Sequence, residues 1–174
     1  MAEAALSDYA ESGLLNYIFR GGVFNKPTTL AIALCSGDPE VNELENRPLR
    51  VAADLPELPQ YYADGTTATR YARYHLGYTA DSGNVNWKFT EEDYAAGSGV
   101  IKNCFQIDWP AAEYDPDDPK QNIGWGWVSG VAILDSDVIG EGNIIMASRL
   151  DNPRFIYAGD SLKFEIEALQ ISFK

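Results

Sequence analysis

The sequence is poor in the residue types that most enzymes and metal sites use. A single histidine, His75, occurs in 174 residues, and the two cysteines are far apart, with no Cys-x-x-Cys pair. Any Ser-His-Asp or Cys-His arrangement would have to use His75, and no local spacing supports one. We therefore predict a protein that is not an enzyme, without catalytic, cofactor-binding or metal-binding residues, and a half-buried strand position for His75.

Cationic residues are also scarce. Thirteen lysines and arginines stand against 26 aspartates and glutamates, which gives a formal net charge of −13. A nucleic-acid backbone is bound by clustered cationic side chains, so this balance argues against nucleic acid as a partner. The excess of acid favours solubility and repulsion between copies. An acidic face that docks on a basic partner is the alternative.

Long apolar runs and targeting segments are missing as well. No stretch approaches the roughly 18 consecutive apolar residues expected of a membrane-spanning helix. The N-terminus has neither the basic start nor the apolar core of a signal peptide. Cys35 and Cys104 lie in apolar runs, where buried free thiols are the usual state, although a disulfide remains an alternative. We expect no membrane contact and synthesis in a reducing cytoplasm.

What the sequence does contain is a series of short apolar runs between turn residues. Strands are predicted at 28–35, 67–78, 85–89 and 99–109. Four or five more follow between glycine, aspartate, asparagine and proline turns: Trp125–Asp135, Gly142–Ser148, Arg154–Tyr157, Ser161–Glu167 and Leu169–Lys174. The pattern predicts one mainly β domain over residues 1–174, an antiparallel β-sandwich or flattened barrel.

One short α-helix is predicted near the N-terminus, from about residue 8 to residue 20. Ser7 or Asp8 is a good N-cap, Asp8 and Glu11 have the spacing of a capping box, and Gly21 follows as a stop. The apolar residues between these caps recur with helical spacing and form one stripe: Ala10, Leu14, Tyr17 and Ile18.

Two insertions interrupt the strand pattern. Residues 39–66 hold four prolines and no sustained period, yet they keep several apolar side chains: Leu44, Leu49, Val51, Leu55, Leu58, Tyr61 and Tyr62. We interpret them as an arm that orders on a neighbouring subunit. Residues 111–122 form an acidic, proline-rich hairpin. Its closely spaced aspartates raise the question of a calcium loop, but the two prolines and the missing glycine favour a solvated loop.

Trp125 and Trp127 lie in a glycine-containing strand and are predicted to share one face. A place in the core or in a subunit interface is favoured, and stacking on a sugar ring is the alternative. The glycines around them lack the strand–turn–helix context of a nucleotide-binding loop. A bulge or a tight packing contact is the favoured interpretation.

Seven short motifs follow one another in a distinctive order. They are Tyr9–Arg20, Pro27–Leu34, Tyr71-Ala-Arg73, Asn103–Ala112, Trp125-Gly-Trp-Val128, Gly142-Asn-Ile-Ile145 and Ala158–Leu162. In this order they resemble a family of small virion proteins of tailed phages, over residues 7–38 and 67–174. The resemblance implies a structural protein of the virion, assembled in the host cytoplasm.

Within that class, the expected function is capsid cement or decoration, in which the protein binds the major capsid protein on the outer shell and stabilises it. A place in the tail, baseplate or fibre is the alternative. We expect a homo-oligomer, with a trimer favoured. A carbohydrate-binding module is the alternative of a different class, because ten tyrosines and four tryptophans would allow it.

Overall fold

A computed structural model describes residues 5–25, 27–36, 51–76, 87–88 and 100–172. The elements are β1 (Ala5–Leu6), α1 (Asp8–Arg20), β2 (Ala31–Cys35), a 3-10 turn (Ala52–Asp54), β3 (Tyr74–His75), β4 (Trp87–Lys88), β5 (Val100–Asn103), β6 (Ile107–Asp108), β7 (Ile123–Leu134), β8 (Ile144–Tyr157), β9 (Lys163–Phe164) and β10 (Gln170–Ser172). The prediction of a mainly β chain with one N-terminal helix is confirmed. A single domain over residues 1–174 stays a prediction.

The strands of the described residues form three antiparallel sheets. Five strands pair in the order β1-β8-β7-β2-β3, three in the order β10-β5-β4, and β6 pairs with β9. Ile32 and Val131 of the largest sheet share one hydrophobic cluster with Ile107 of β6 and with Leu162. This packing is compatible with the predicted sandwich.

Strand β2 lies inside the largest sheet and is buried along its whole length. Ile32 and Leu34 face the main cluster, while Ala33 and Cys35 pack with Ala52 and Leu55 on the opposite face. The alternation of large and small side chains predicted that both faces are covered, and the structure confirms it. Cys35 is a buried free thiol, as predicted, whereas the free Cys104 is only half-buried.

Helix α1 begins and ends as its sequence predicts, with one change at the cap. The Ser7 hydroxyl accepts from the Ala10 amide at 3.1 Å, so Ser7 is the N-cap and the predicted capping box of Asp8 and Glu11 is wrong. The side chain of Ser7 also donates to the carbonyl of Ile144, which joins the cap to β8. Gly21 ends the helix at φ 66°, a left-handed conformation that glycine adopts without steric cost.

Strand β8 runs through a segment that was predicted to be a turn. Val128 pairs with Arg154 and Gly130 with Arg149, so one residue of β7 faces residues 150–153 of β8. The extra residues are accommodated as a bulge that includes Pro153, because a bulge tolerates a residue without an amide hydrogen. The turn predicted at 151–153 is therefore wrong, and two predicted strands are one.

Several other predicted strands are shorter than expected, among them Ser161–Glu167, of which Lys163–Phe164 forms β9. Residues 99–109 divide into β5 and β6, because the buried Asn103 amide donates to the carbonyls of Phe105 and Glu165 and bends the chain. Among the described residues 67–76, Tyr74 and His75 form the strand β3, and Arg70 has a positive φ of 63°. Residues 77–78, 85–86, 89 and 99 of the predicted strands lie outside the described residues.

Besides the backbone hydrogen bond of Thr69 with Gln60, tryptophan side chains hold the chain before β3. The indole Nε1 of Trp125 donates to the Thr69 carbonyl at 2.7 Å, and that of Trp109 donates to the Ala72 carbonyl at 2.8 Å. Side chains thus supply partners that a neighbouring strand would otherwise provide. The period-2 pattern of this segment cannot distinguish these two sources of hydrogen bonds.

The described part of the predicted arm packs on its own chain, which corrects the expectation for 51–66. Leu55 and Leu58 are buried, the Leu58 amide donates to the Leu34 carbonyl at 3.0 Å, and the Ser36 amide donates to the Pro56 carbonyl at 2.7 Å. The segment lies against β2 and the residue after it because its apolar side chains are buried in the core and its backbone groups are hydrogen-bonded there. Residues 39–50 lie outside the described residues.

A buried ion pair joins this segment to the chain before β3. Arg73 is bidentate to Glu57, with Nε to Oε1 at 2.8 Å and Nη2 to Oε2 at 2.7 Å, and the exposed fractions of the two side chains are 0% and 7%. Arg73 Nη1 donates to the carbonyls of Ser136 and Glu141. The Tyr71 hydroxyl donates to Glu57 and accepts from the Leu34 amide. Burial and Glu57 raise the pKa of Tyr71, which keeps it a donor.

Replacing Arg73 tests the contribution of this pair. Arg73→Met leaves Glu57 buried without its cation, and we expect a loss of about 3–5 kcal/mol in the free energy of unfolding. Urea unfolding followed by circular dichroism measures it. Glu113→Gln is the control, because the Arg70–Glu113 pair has the same 2.7 Å separation but exposed fractions of 60% and 28%. That change should cost less than about 1 kcal/mol, and equal losses would contradict the assignment.

Alkaline pH should destabilise the fold through Cys35. Burial raises the pKa of its thiol from 9.0 to about 12. The unfolded chain loses this proton at lower pH than the folded chain, so the stability from the neutral thiol is intact below pH 9 and falls as pH rises toward 12. The slope reaches about 1.4 kcal/mol per pH unit. The free energy of unfolding of Cys35→Ala, measured between pH 9 and pH 12, should fall less steeply with pH than that of the wild type. Identical slopes for the two proteins would refute the prediction.

Candidate functional site

The C-terminal half of α1 is exposed despite its apolar composition. Six large apolar side chains in and after it keep much of their surface in contact with solvent: Leu14 40%, Leu15 55%, Tyr17 59%, Ile18 57%, Phe19 76% and Val23 78%. At roughly 200 Å² for a fully exposed large side chain, they present on the order of 700 Å² of surface. The largest apolar patch of a typical monomer is about 300–600 Å². We call this surface the helix face.

Only the N-terminal half of α1 is anchored. Ala10 is the buried residue of the helix, and the rings of Tyr9 and Phe24 lie 6.0 Å apart between their centroids. The predicted stripe of Ala10, Leu14, Tyr17 and Ile18 is thus divided, because only its first member meets the core. The predicted stripe did not include Leu15 and Phe19, which are four residues apart and widen the apolar surface.

The helix face is almost without charge. Between residues 12 and 23 the only residue charged at neutral pH is Arg20, in a chain whose net charge is −13. At 100° per residue, Leu14, Leu15, Tyr17, Ile18 and Phe19 span an arc of about 200°. A single neighbouring element covers a stripe of about 100°. The helix face therefore offers contact area for partners on more than one side.

A second exposed surface is an aromatic ladder across β7 and β8. The rings of Trp127 and Phe155 meet edge to face at 5.5 Å, and those of Phe155 and Tyr157 lie 4.8 Å apart. Trp127 and Tyr157 are exposed by 45% and 51%, whereas Trp125 is buried. The prediction that the two tryptophans share a face is wrong. A register shift at Gly126, with φ 72°, puts them on opposite faces.

His75 and the acidic loop at 111–122 were the candidates for chemistry in the sequence. His75 is exposed on β3 rather than half-buried. Asp118 accepts from the backbone amides of Lys120, Asn122 and Ile123, and these bonds hold the pKa of its carboxyl below the usual range. No group of three potential metal ligands occurs among the described residues. None of the helices described is long and apolar enough to cross a membrane.

Comparison with known proteins identifies the family. No curated protein matches the chain. A family model described as podophage GP4 fiber I protein gp80 matches residues 5–172. This match covers nearly the whole sequence and confirms the resemblance to tailed-phage virion proteins. The chain belongs to the podophage GP4 fiber I protein gp80 family, and it is a structural protein of the phage virion.

Proposed function

We propose that this protein is a non-enzymatic structural component of the phage tail or fibre, which acts by contact with copies of itself and with a neighbouring virion protein. The family description, which names a fiber protein, supports this position. Capsid decoration was the leading expectation from the sequence. It has no support from the family match, and we propose the tail or fibre alternative in its place.

The helix face carries the proposal. Exposed apolar surface of this extent on a chain that already has a buried core is characteristic of an assembly contact. Its estimated area of on the order of 700 Å² is close to the roughly 800 Å² that each partner buries in a standard interface. Catalysis would require a constellation of polar groups, whereas assembly requires complementary surfaces, which the helix face provides.

A second copy of the chain is the partner that fits the helix face best. Copies with a net charge of −13 repel one another, and the repulsion is weakest where their surfaces carry few charges. An apolar arc of about 200° exceeds what one flat contact covers. In a cyclic trimer each helix meets two neighbours, so both sides of the arc are buried. We therefore propose a trimer built around α1.

Polar substitutions on the helix face should prevent assembly without unfolding the chain. Burying one large apolar side chain contributes about 1.5–3 kcal/mol, so Phe19→Ser should weaken self-association at least about tenfold. Sedimentation velocity measures the change in oligomeric state. When a phage that lacks the protein is complemented with Phe19→Ser, fewer copies of the variant than of the wild type should be incorporated into particles. Purified virions should hold about three to twelve copies, located in the tail or fibre by antibody labelling.

The matched control is Val138→Ser, which removes an apolar side chain of 51% exposure outside the helix face. It should assemble and incorporate as the wild type does. Hundreds of copies on the capsid would overturn the proposed position. A monomeric wild-type protein, or a Phe19→Ser variant with unchanged self-association, would overturn the role of the helix face.

The aromatic ladder supports carbohydrate binding as a second candidate function. Trp127 and Tyr157 expose ring surface beside Phe155, and flat aromatic faces stack on sugar rings. If this function operates, Trp127→Ala should abolish binding to host-surface glycans on an array. The chain should keep its thermal unfolding midpoint, because Trp127 lies outside the core. An array on which the wild type binds nothing would eliminate this candidate.

A further inference from the structure

A cavity of about 820 Å³ opens beside the bulge of β8. Ile133, Met146 and Leu162 contribute to its apolar lining, which also includes side chains of β9 and β10. This volume lies within the range of about 300–1,000 Å³ found for ligand sites. The bulge at residues 150–153 forms part of the wall, and bulges commonly redirect side chains toward binding sites.

The rim of the cavity is cationic in an otherwise acidic chain. Among the described residues that line it, Arg149, Arg154 and Lys163 are cationic and Asp151 is acidic. These are three of the thirteen lysines and arginines of the whole sequence. Such a concentration gives the opening a local positive charge that attracts carboxylates.

One polar atom of this rim is buried without a partner. Nη2 of Arg149 has no hydrogen-bond acceptor among the described residues and almost no contact with solvent. A buried guanidinium nitrogen left unpaired costs free energy, since its hydration is lost and nothing replaces it. The guanidinium of Arg149 therefore keeps hydrogen-bonding capacity that the described residues do not use.

The same chain carries an exposed loop at residues 114–119 whose acidic and aromatic side chains complement the cationic rim and the apolar lining. Tyr114 is 40% exposed and Asp117 is exposed, and they lie on either side of Asp115 and Pro116. The bonds that Asp118 accepts from three backbone amides fix the shape of the loop. Asp115 accepts from the Asp117 amide, whereas the carboxylate of Asp117 accepts no hydrogen bond within the described residues.

We propose that the cavity receives the acidic loop 114–119 of a second copy of this chain, with Asp117 bound to the cationic rim and Tyr114 against the apolar lining. No residue of that loop lines the cavity of its own chain, so the contact joins two copies. It is heterologous, with different surfaces on the two sides, and such contacts form a ring when the rotation between copies closes. The proposal extends the proposed self-assembly, because it adds a second interface to the one at the helix face.

Charge reversal on either side tests this contact. Asp117→Lys and Arg149→Glu should each weaken self-association of the full chain about tenfold or more, as expected for a close charge pair. The double variant should recover most of the wild-type association, because the pair is restored with opposite signs. Sedimentation velocity over a concentration series, at one fixed salt concentration, measures all three variants.

Asp137→Lys is the matched control, since it makes the same charge change at an exposed aspartate that does not line the cavity. It should associate at least as well as the wild type. Asp117 lies in an exposed loop, so its replacement tests the contact even if Arg149→Glu fails to fold. Unchanged association of Asp117→Lys would overturn the proposal. Dissociation of Phe19→Ser in the same assay would leave the role of the helix face intact.

Discussion

The buried pair of Arg73 and Glu57 is the constraint on which the rest of the structure depends. Four separate parts of the chain meet at it: β2, the segment after residue 51, the extended chain before β3 and the loop after β7. All three guanidinium nitrogens of Arg73 have hydrogen-bond partners, which include two backbone carbonyls. These bonds offset the cost of removing the charges from water. Because the geometry is bidentate, the pair fixes how these segments are aligned and closes the second face of the largest sheet.

Closing that face internally has a consequence for the helix. Ala52 and Leu55 cover the small residues of β2, so the core needs nothing from the C-terminal half of α1. An amphipathic helix in a small domain usually covers a sheet. Here a loop segment does so, and the helix is left with apolar side chains that meet solvent in the isolated chain. The division of the chain into a closed core and an uncovered helix favours a protein that functions by assembly.

Local signals predicted the elements whose stability is local. Capping residues and a glycine stop gave the bounds of α1, and alternating side-chain size predicted that β2 is covered on both sides. The errors occur where a distant side chain is the partner of a backbone carbonyl, as Trp109 is for Ala72, or where a bulge changes the register, as at Gly126. Neither event leaves a periodic pattern in the sequence. The cavity rim was missed for the same reason, because the bulge brings residues of β8 and β9 together.

The strong negative charge limits how copies of this protein meet. Long-range repulsion between acidic chains is screened beyond about 8 Å at physiological ionic strength, so association depends on what happens at contact. In the proposed assembly, the helix face meets this requirement by carrying almost no charge, whereas the cavity and the acidic loop meet it by pairing opposite charges. The first contact is tolerant of orientation, since apolar burial is not directional. The second selects one orientation, because a guanidinium and a carboxylate bond only in a defined geometry. An acidic subunit that uses both gains affinity from one surface and a defined rotation between copies from the other, and a closed symmetric assembly requires both.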